Sequence, residues 1–188
     1  DLAKIESGKM ELESVPFPMI NAVHNIQTIL SLKAEEKGVK MIAEIADDVP
    51  EYVLGDETRI TQVIMNLAGN AIKFTEKGSV TLSVTVESKD KDKLNVHFSL
   101  KDTGIGIPPQ KHKEIFESFT QADINTTRKY GGTGLGLSIT KKLVNKFHSE
   151  LKLQSEEGKG STFHFTVEFP INENRKMYIN EDKTKMLA

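Results

Sequence analysis

Apolar and polar residues alternate strictly at Leu94, Val96, Phe98 and Leu100, a period of two that predicts a strand with one buried face over Leu94 to Lys101. Elsewhere the period lengthens. From about Glu57 to Phe74, the residues Ile60, Val63, Ile64, Leu67 and Ala71 fall at helical spacing and predict an amphipathic helix. Leu135, Ile139, Leu143 and Phe147 predict another, beginning at the last of a run of glycines, and Ile20, Val23, Leu30 and Ala34 predict a third that closes at Gly38. Residues 1–13 read as the tail of a helix broken by Pro16 and Pro18. Strands are expected at Val39 to Ile45, Ser79 to Glu87, Leu151 to Gln154 and Thr162 to Phe169, with turns at Asp47 to Pro50, Ser88 to Lys93 and Glu157 to Gly160. This order predicts an α/β two-layer sandwich, a mixed β-sheet covered on one face by helices. Residues 171–188 are polar and aperiodic and read as a linker or tail.

Three stretches on this framework carry candidate chemistry. Gly131-Gly132-Thr133-Gly134-Leu135-Gly136-Leu137 runs into a predicted helix, so its backbone N–H groups lack intrahelical partners and favour an anion, while glycine lets phosphate oxygens approach closely. A flexible loop opening an ordinary helix explains a lone glycine run equally well. Asp102 ends the strand begun at Leu94; its carboxylate can accept from the exocyclic amine of adenine, where guanine would offer a carbonyl instead, and Gly104 and Gly106 leave room for a flat base. Taken alone, Asp102-Thr103-Gly104 is an ordinary turn sequence. Asn66, Asn70 and Lys73 share one face of the Glu57 to Phe74 helix. Amide oxygens and an ammonium there suit Mg2+ bridged to a triphosphate, although a solvated polar face has the same pattern.

The strings NLAGNAIKFT (66–75), DTGIGI (102–107), IFESFTQAD (115–123), GGTGLGL (131–137) and GKGSTF (158–163) together resemble, in order and spacing, the catalytic ATP-binding domain of sensor histidine kinases. The resemblance covers roughly residues 1–170. It implies a Bergerat-type ATP-binding fold over 15–170, preceded over 1–14 by the end of a dimerisation helix and followed over 171–188 by a linker or tail. Carried over position by position, it implies Asn70 as the Mg2+ ligand, Asn66 as its supporting neighbour and Lys73 as a phosphate contact. It also implies Asp102 as the adenine reader bordered by Gly104 and Gly106. Gly132, Gly134 and Gly136, with Thr133 and Leu135 between them, would form the phosphate cradle, and Ser161 would hold a water beside Asp102. The stretch between Phe116 and Gly131 corresponds to a mobile lid, in which Arg128 and Lys129 would meet phosphate. Phe116 and Phe119 would dock that lid, or are simply core aromatics.

Two departures stand out. Ser118 replaces the family's common proline and implies a looser hinge, and His148-Ser149-Glu150 replaces a common glycine pair, which would cost roughly 1 kcal/mol if Ser149 adopts a left-handed helix end. In the gyrase, mismatch-repair and chaperone branches of the superfamily a Glu four residues before the magnesium-binding Asn activates water; here that position is Asn66, which cannot take a proton, so transfer to an external nucleophile fits better than hydrolysis. In the family that nucleophile is a histidine followed by an acidic residue. His24, His97, His112, His148 and His164 all lack one, so the acceptor is expected on helices outside these residues.

Composition narrows the alternatives. Among 188 residues 28% are charged, yet the formal net charge is −2, which gives no argument for nucleic acid or an anionic membrane surface. The absence of Cys excludes disulfides and thiolate chemistry. No apolar run approaches the ~18 residues that span a bilayer, and a cytoplasmic piece of a parent anchored elsewhere in the membrane is expected. The sequence reading is a protein-histidine kinase domain using ATP and Mg2+, monomeric as a fragment and homodimeric through its parent's helices, with a response-regulator receiver domain as further partner. A noncatalytic nucleotide-sensing module and an ATPase of the gyrase branch are the alternatives.

Overall fold

The computed structural model describes residues 2–117 and 136–171. Five strands form the main sheet: β2 (Val39–Ile45), β4 (Gly78–Lys89), β5 (Lys93–Asp102), β7 (Gly160–Pro170) and β6 (Lys152–Glu156), in the spatial order β2-β4-β5-β7-β6. β2 runs parallel to β4, and the remaining neighbours are antiparallel. Three helices accompany it: α2 (Met19–Glu36), α3 (Glu57–Lys73) and α4 (Gly136–Lys146). A mixed sheet with helices on one face is the expected sandwich.

The alternation in β5 does what its period dictates. Leu94, Val96, Phe98 and Leu100 are buried, whereas Asn95, His97, Ser99 and Lys101 lie on the face turned away from the core. Phe98 stacks on its cross-strand partner Phe165 with ring centroids 5.2 Å apart. From the other layer α3 contributes Ile60, Val63, Ile64, Leu67, Ala68, Ala71 and Ile72, all buried. Its N-terminus is fixed by Asp56, whose Oδ1 accepts from the Arg59 amide at 3.0 Å and whose Oδ2 accepts from the Glu13 amide at 3.1 Å.

The N-terminal segment departs from expectation. The helix predicted over residues 1–13 stops at Glu6, as α1 (Leu2–Glu6), and Gly8 follows with φ +70°. Pro16 and Pro18, expected only to break that helix, lie in a short strand β1 (Val15–Pro18) paired antiparallel with β3 (Tyr52–Gly55), which sequence periodicity missed. This ribbon docks on the end of β7, where Phe17 meets Phe169 edge-on at 6.3 Å. Gly55 permits the approach, since a Cβ there would lie 3.0 Å from the Phe169 ring.

At the end of α4 the left-handed residue is His148, φ 55°, and not Ser149. The Ser149 amide reaches Val144 O and the His148 amide reaches Asn145 O, the pair of bonds that places His148 at the position following the helix cap. Ser149 instead accepts from the Thr166 amide at 3.3 Å and ties the helix end to β7.

Candidate nucleotide site

Asp102 is the last residue of β5 and only 7% exposed. Its position follows from the pleat: it continues the inward-facing set that starts at Leu94, at the point where the sheet ends and a loop begins. Oδ1 accepts from the Gly104 amide at 2.8 Å and from the Ser161 amide, on the neighbouring strand, at 3.3 Å. Among the described residues both bonds land on one oxygen, which leaves the second with acceptor capacity. Burial pushes the Asp102 carboxyl above the ordinary carboxylate range, and the two amides pull in the opposite direction.

Neighbouring atoms hold the loop after Asp102 tightly. The Ile105 amide donates to Phe74 O at the end of α3, and Ile105 O accepts from the Gly158 amide in the β6–β7 turn at 2.7 Å. A Cβ on Gly104 would run into Phe74 O and come within 2.9 Å of Thr75 Oγ1; one on Gly106, whose φ is +69°, would run into Glu156 O. At both positions the absent Cβ makes room for the protein's own backbone, a reason different from the space for a base that their spacing suggested. Ser155, unnoticed in the sequence, accepts from the Ile107 amide at 2.8 Å and pairs with Ser161 Oγ at 2.7 Å. Ser161 therefore meets Asp102 through its amide, while its hydroxyl is engaged with Ser155.

On α3, Asn66, Asn70 and Lys73 are half-buried along one side. Asn66 Nδ2 donates to Thr140 Oγ1 at 3.3 Å, and that hydroxyl donates to Gly136 O at 2.7 Å, linking α3 to the first turn of α4. Thr140, fully buried and also missed in the sequence, could have been noticed as a polar residue among the inward positions of α4. The Asn70 backbone carbonyl accepts from the Phe74 amide at 3.0 Å. Lys73 Nζ lies 5.5 Å from the Phe74 ring centroid, and Lys37 Nζ caps the end of α3 by donating to Ile72 O at 2.7 Å and Lys73 O at 2.8 Å. Gly136 opens α4, and a Cβ there meets no described atom within 4 Å. Phe116 meets Phe163 edge-on at 6.1 Å, beside the start of the undescribed stretch. Arg128, Lys129, Gly132, Thr133, Gly134 and Leu135, together with Ser118 and Phe119, lie outside the described residues.

The carboxylate at the end of β5, the amide-bearing face of α3 and the start of α4 thus belong to one layer junction. A family profile described as histidine kinase-, DNA gyrase B- and HSP90-like ATPase matches residues 55–171, which contains every one of these groups. The chain belongs to this family. It is 40% identical over 188 residues to the signal transduction histidine-protein kinase BarA of Escherichia coli strain K12, covering all of this chain and 20% of BarA. Hybrid signal transduction histidine kinase K of Dictyostelium discoideum is 41% identical over 181 residues, 92% of this chain and 15% of that protein. The chain therefore spans about a fifth or less of these relatives. Among solved structures, full-length ShkA in complex with AMPPNP superposes with a TM-score of 0.78 at 32% identity, covering 90% of this chain and 34% of that one. The catalytic domain of histidine kinase ThkA superposes at 0.64 with 26% identity, covering 84% of this chain and 95% of that one. Among the described residues no helix is long and apolar enough to cross a membrane.

Proposed function

We propose that this chain is the catalytic domain of a two-component protein-histidine kinase: it binds Mg-ATP and presents the γ-phosphate to a histidine on a dimerisation helix of its parent. The observation that carries this reading is the buried Asp102 carboxylate, with one oxygen committed to backbone amides and the other able to accept from the adenine amine. The donor set around it fits the nucleotide. Asn70 would supply an amide oxygen to Mg2+, Lys73 a charge to phosphate, and Gly132, Gly134 and Gly136 the backbone of the cradle, with Arg128 and Lys129 closing over it. The bound metal would neutralise charge on the phosphates; the protein's part is to orient them and exclude water. Family membership, and the AMPPNP bound by ShkA, support ATP as the nucleotide.

Asn66 favours transfer over hydrolysis. Its amide is spent on Thr140, and a carboxamide offers no base to activate water. Residues 15–170 would be the catalytic unit on the cytoplasmic side, with 1–14 continuing from the dimerisation helix and 171–188 leading onward, toward a receiver domain in a hybrid parent. In such a parent the helices would make the homodimer and this domain alone would remain monomeric.

The test joins this chain to its parent's helical hairpin and supplies ATP labelled on the γ-phosphate. Acid-labile, base-stable label on the protein is expected; steady phosphate release without label would overturn the kinase reading in favour of an ATPase. Asp102→Ala should weaken binding of ATP more than binding of tripolyphosphate, and equal losses would remove Asp102 from adenine recognition.

A further inference from the structure

The face of the sheet turned away from the helices brings together two histidines that sequence spacing keeps 67 positions apart. In the β5–β7 register His97 faces Thr166 and Ser99 faces His164, so the two histidines are diagonal neighbours on one face. Their ring centroids are 5.2 Å apart with the planes inclined by 52°. His97 Nδ1 lies 3.0 Å from Thr166 Oγ1. When that nitrogen carries the proton and donates it in a hydrogen bond to the threonine, Nε2 keeps its lone pair, the tautomer a metal ligand needs, and the ring is already oriented by Thr166.

We propose that His97 and His164 form a two-imidazole site for a borderline divalent transition metal, Ni2+, Cu2+ or Zn2+, with water completing the coordination sphere. Imidazole nitrogen suits these ions and does not suit Mg2+ or Ca2+, which take oxygen ligands. The site is therefore chemically separate from one that holds Mg-ATP. Among the described residues no third His, Cys, Asp or Glu joins the pair to make a cluster of three, so an ion here bridges two strands and is not enclosed. Lys152, paired with His164 in the β6–β7 register, adds like charge that weakens every divalent ion alike, so the preference for Cu2+ over Zn2+ follows from its place at the top of the series for nitrogen ligands.

Calorimetric titration of the chain with NiCl2, CuCl2 and ZnCl2, in millimolar MgCl2 and without nucleotide, tests this. One ion per chain is expected, tightest for Cu2+, with affinity falling at least about tenfold in both His97→Gln and His164→Gln, as removal of a ligand or its support does elsewhere. Both positions lie on the outward face, so both variants should keep the parent's melting temperature in metal-free buffer. His24→Gln and His148→Gln should bind as the parent does. Unchanged affinity in the His97 and His164 variants, or loss only in the His24 or His148 variant, would overturn the site.

Discussion

Asp102 combines two opposed demands in one side chain. Burial raises its pKa in the folded state, so the native protein holds the proton more tightly than the unfolded chain does. The stability it contributes is complete below the unfolded value and is lost as pH rises through the folded one. An ionised Asp102 thus costs the protein stability at neutral pH, where the proposed bond to an adenine amine would draw on its charge. Asp102→Asn keeps an oxygen for the Gly104 and Ser161 amides and removes the charge. At pH 7 it should melt no lower than the parent, and the difference should vanish as the pH falls through the carboxylate range. ATP binding should weaken by about tenfold or more, the loss of a charge-assisted hydrogen bond worth roughly 1.5–3 kcal/mol. A lower melting temperature at pH 7 would contradict the sign. Asp102 itself was legible because the β5 alternation runs straight into it, and Ser161 was placed beside it by the family resemblance alone; Ser155 was not legible, because these strands become neighbours only when β5, β7 and β6 pair.

Whole elements were read best where their periods were long. The apolar stripe of α3 predicts its extent to within a residue, and Gly38, with φ +71°, ends α2 where a left-handed residue is needed. β1 and β3 escaped notice because four residues are too few to show a period, and prolines in β1 read as breakers when they in fact occupy a two-stranded ribbon. At the end of α4 the offset of one residue, from Ser149 to His148, comes from hydrogen bonding that no spacing reveals. His148→Gly should raise stability by about 0.5–1 kcal/mol, the left-handed strain relieved less the entropy glycine adds to the unfolded chain, as read from urea unfolding. Between elements, Thr140→Val removes the hydroxyl that joins Asn66 to Gly136 O while preserving shape. A loss of about 1 kcal/mol is expected in the same experiment. Weaker ATP binding should accompany it, and unchanged calorimetric affinity would show that the α3–α4 link does not position the site.

The molecule as a whole rests on a core shared by the sheet, three helices and the N-terminal ribbon. Ile5 and Met10, before the ribbon, are buried in that same core, and at the surface Lys146 Nζ donates to Gly8 O at 3.1 Å, tying the segment between them to α4. The layered class was legible from the alternation of helical and strand periods, but the docking of the ribbon was not, because Gly55 gives no hydrophobic signal and acts by what it leaves out. Gly55→Ala should destabilise the protein by about 1–3 kcal/mol, since the added Cβ would press at 3.0–3.2 Å on the buried rings of Phe169 and Phe17. Thermal unfolding measures it, and a neutral result would mean that the ribbon slides along β7.

The parallel pairing of β2 with β4 makes α3 part of a crossover, laid down between two strands that cannot meet through a tight turn. β5 and β7 likewise join across most of the second half of the chain, Lys93 opposite Pro170. Two distant closures, both slow by their loop length, must therefore be completed before Asp102 and the α3 amides coexist. A half-folded chain holds at most one side of the pocket and gains nothing from nucleotide. ATP added during refolding should accordingly leave the folding rate alone and slow only unfolding, acting as a brake on the finished molecule.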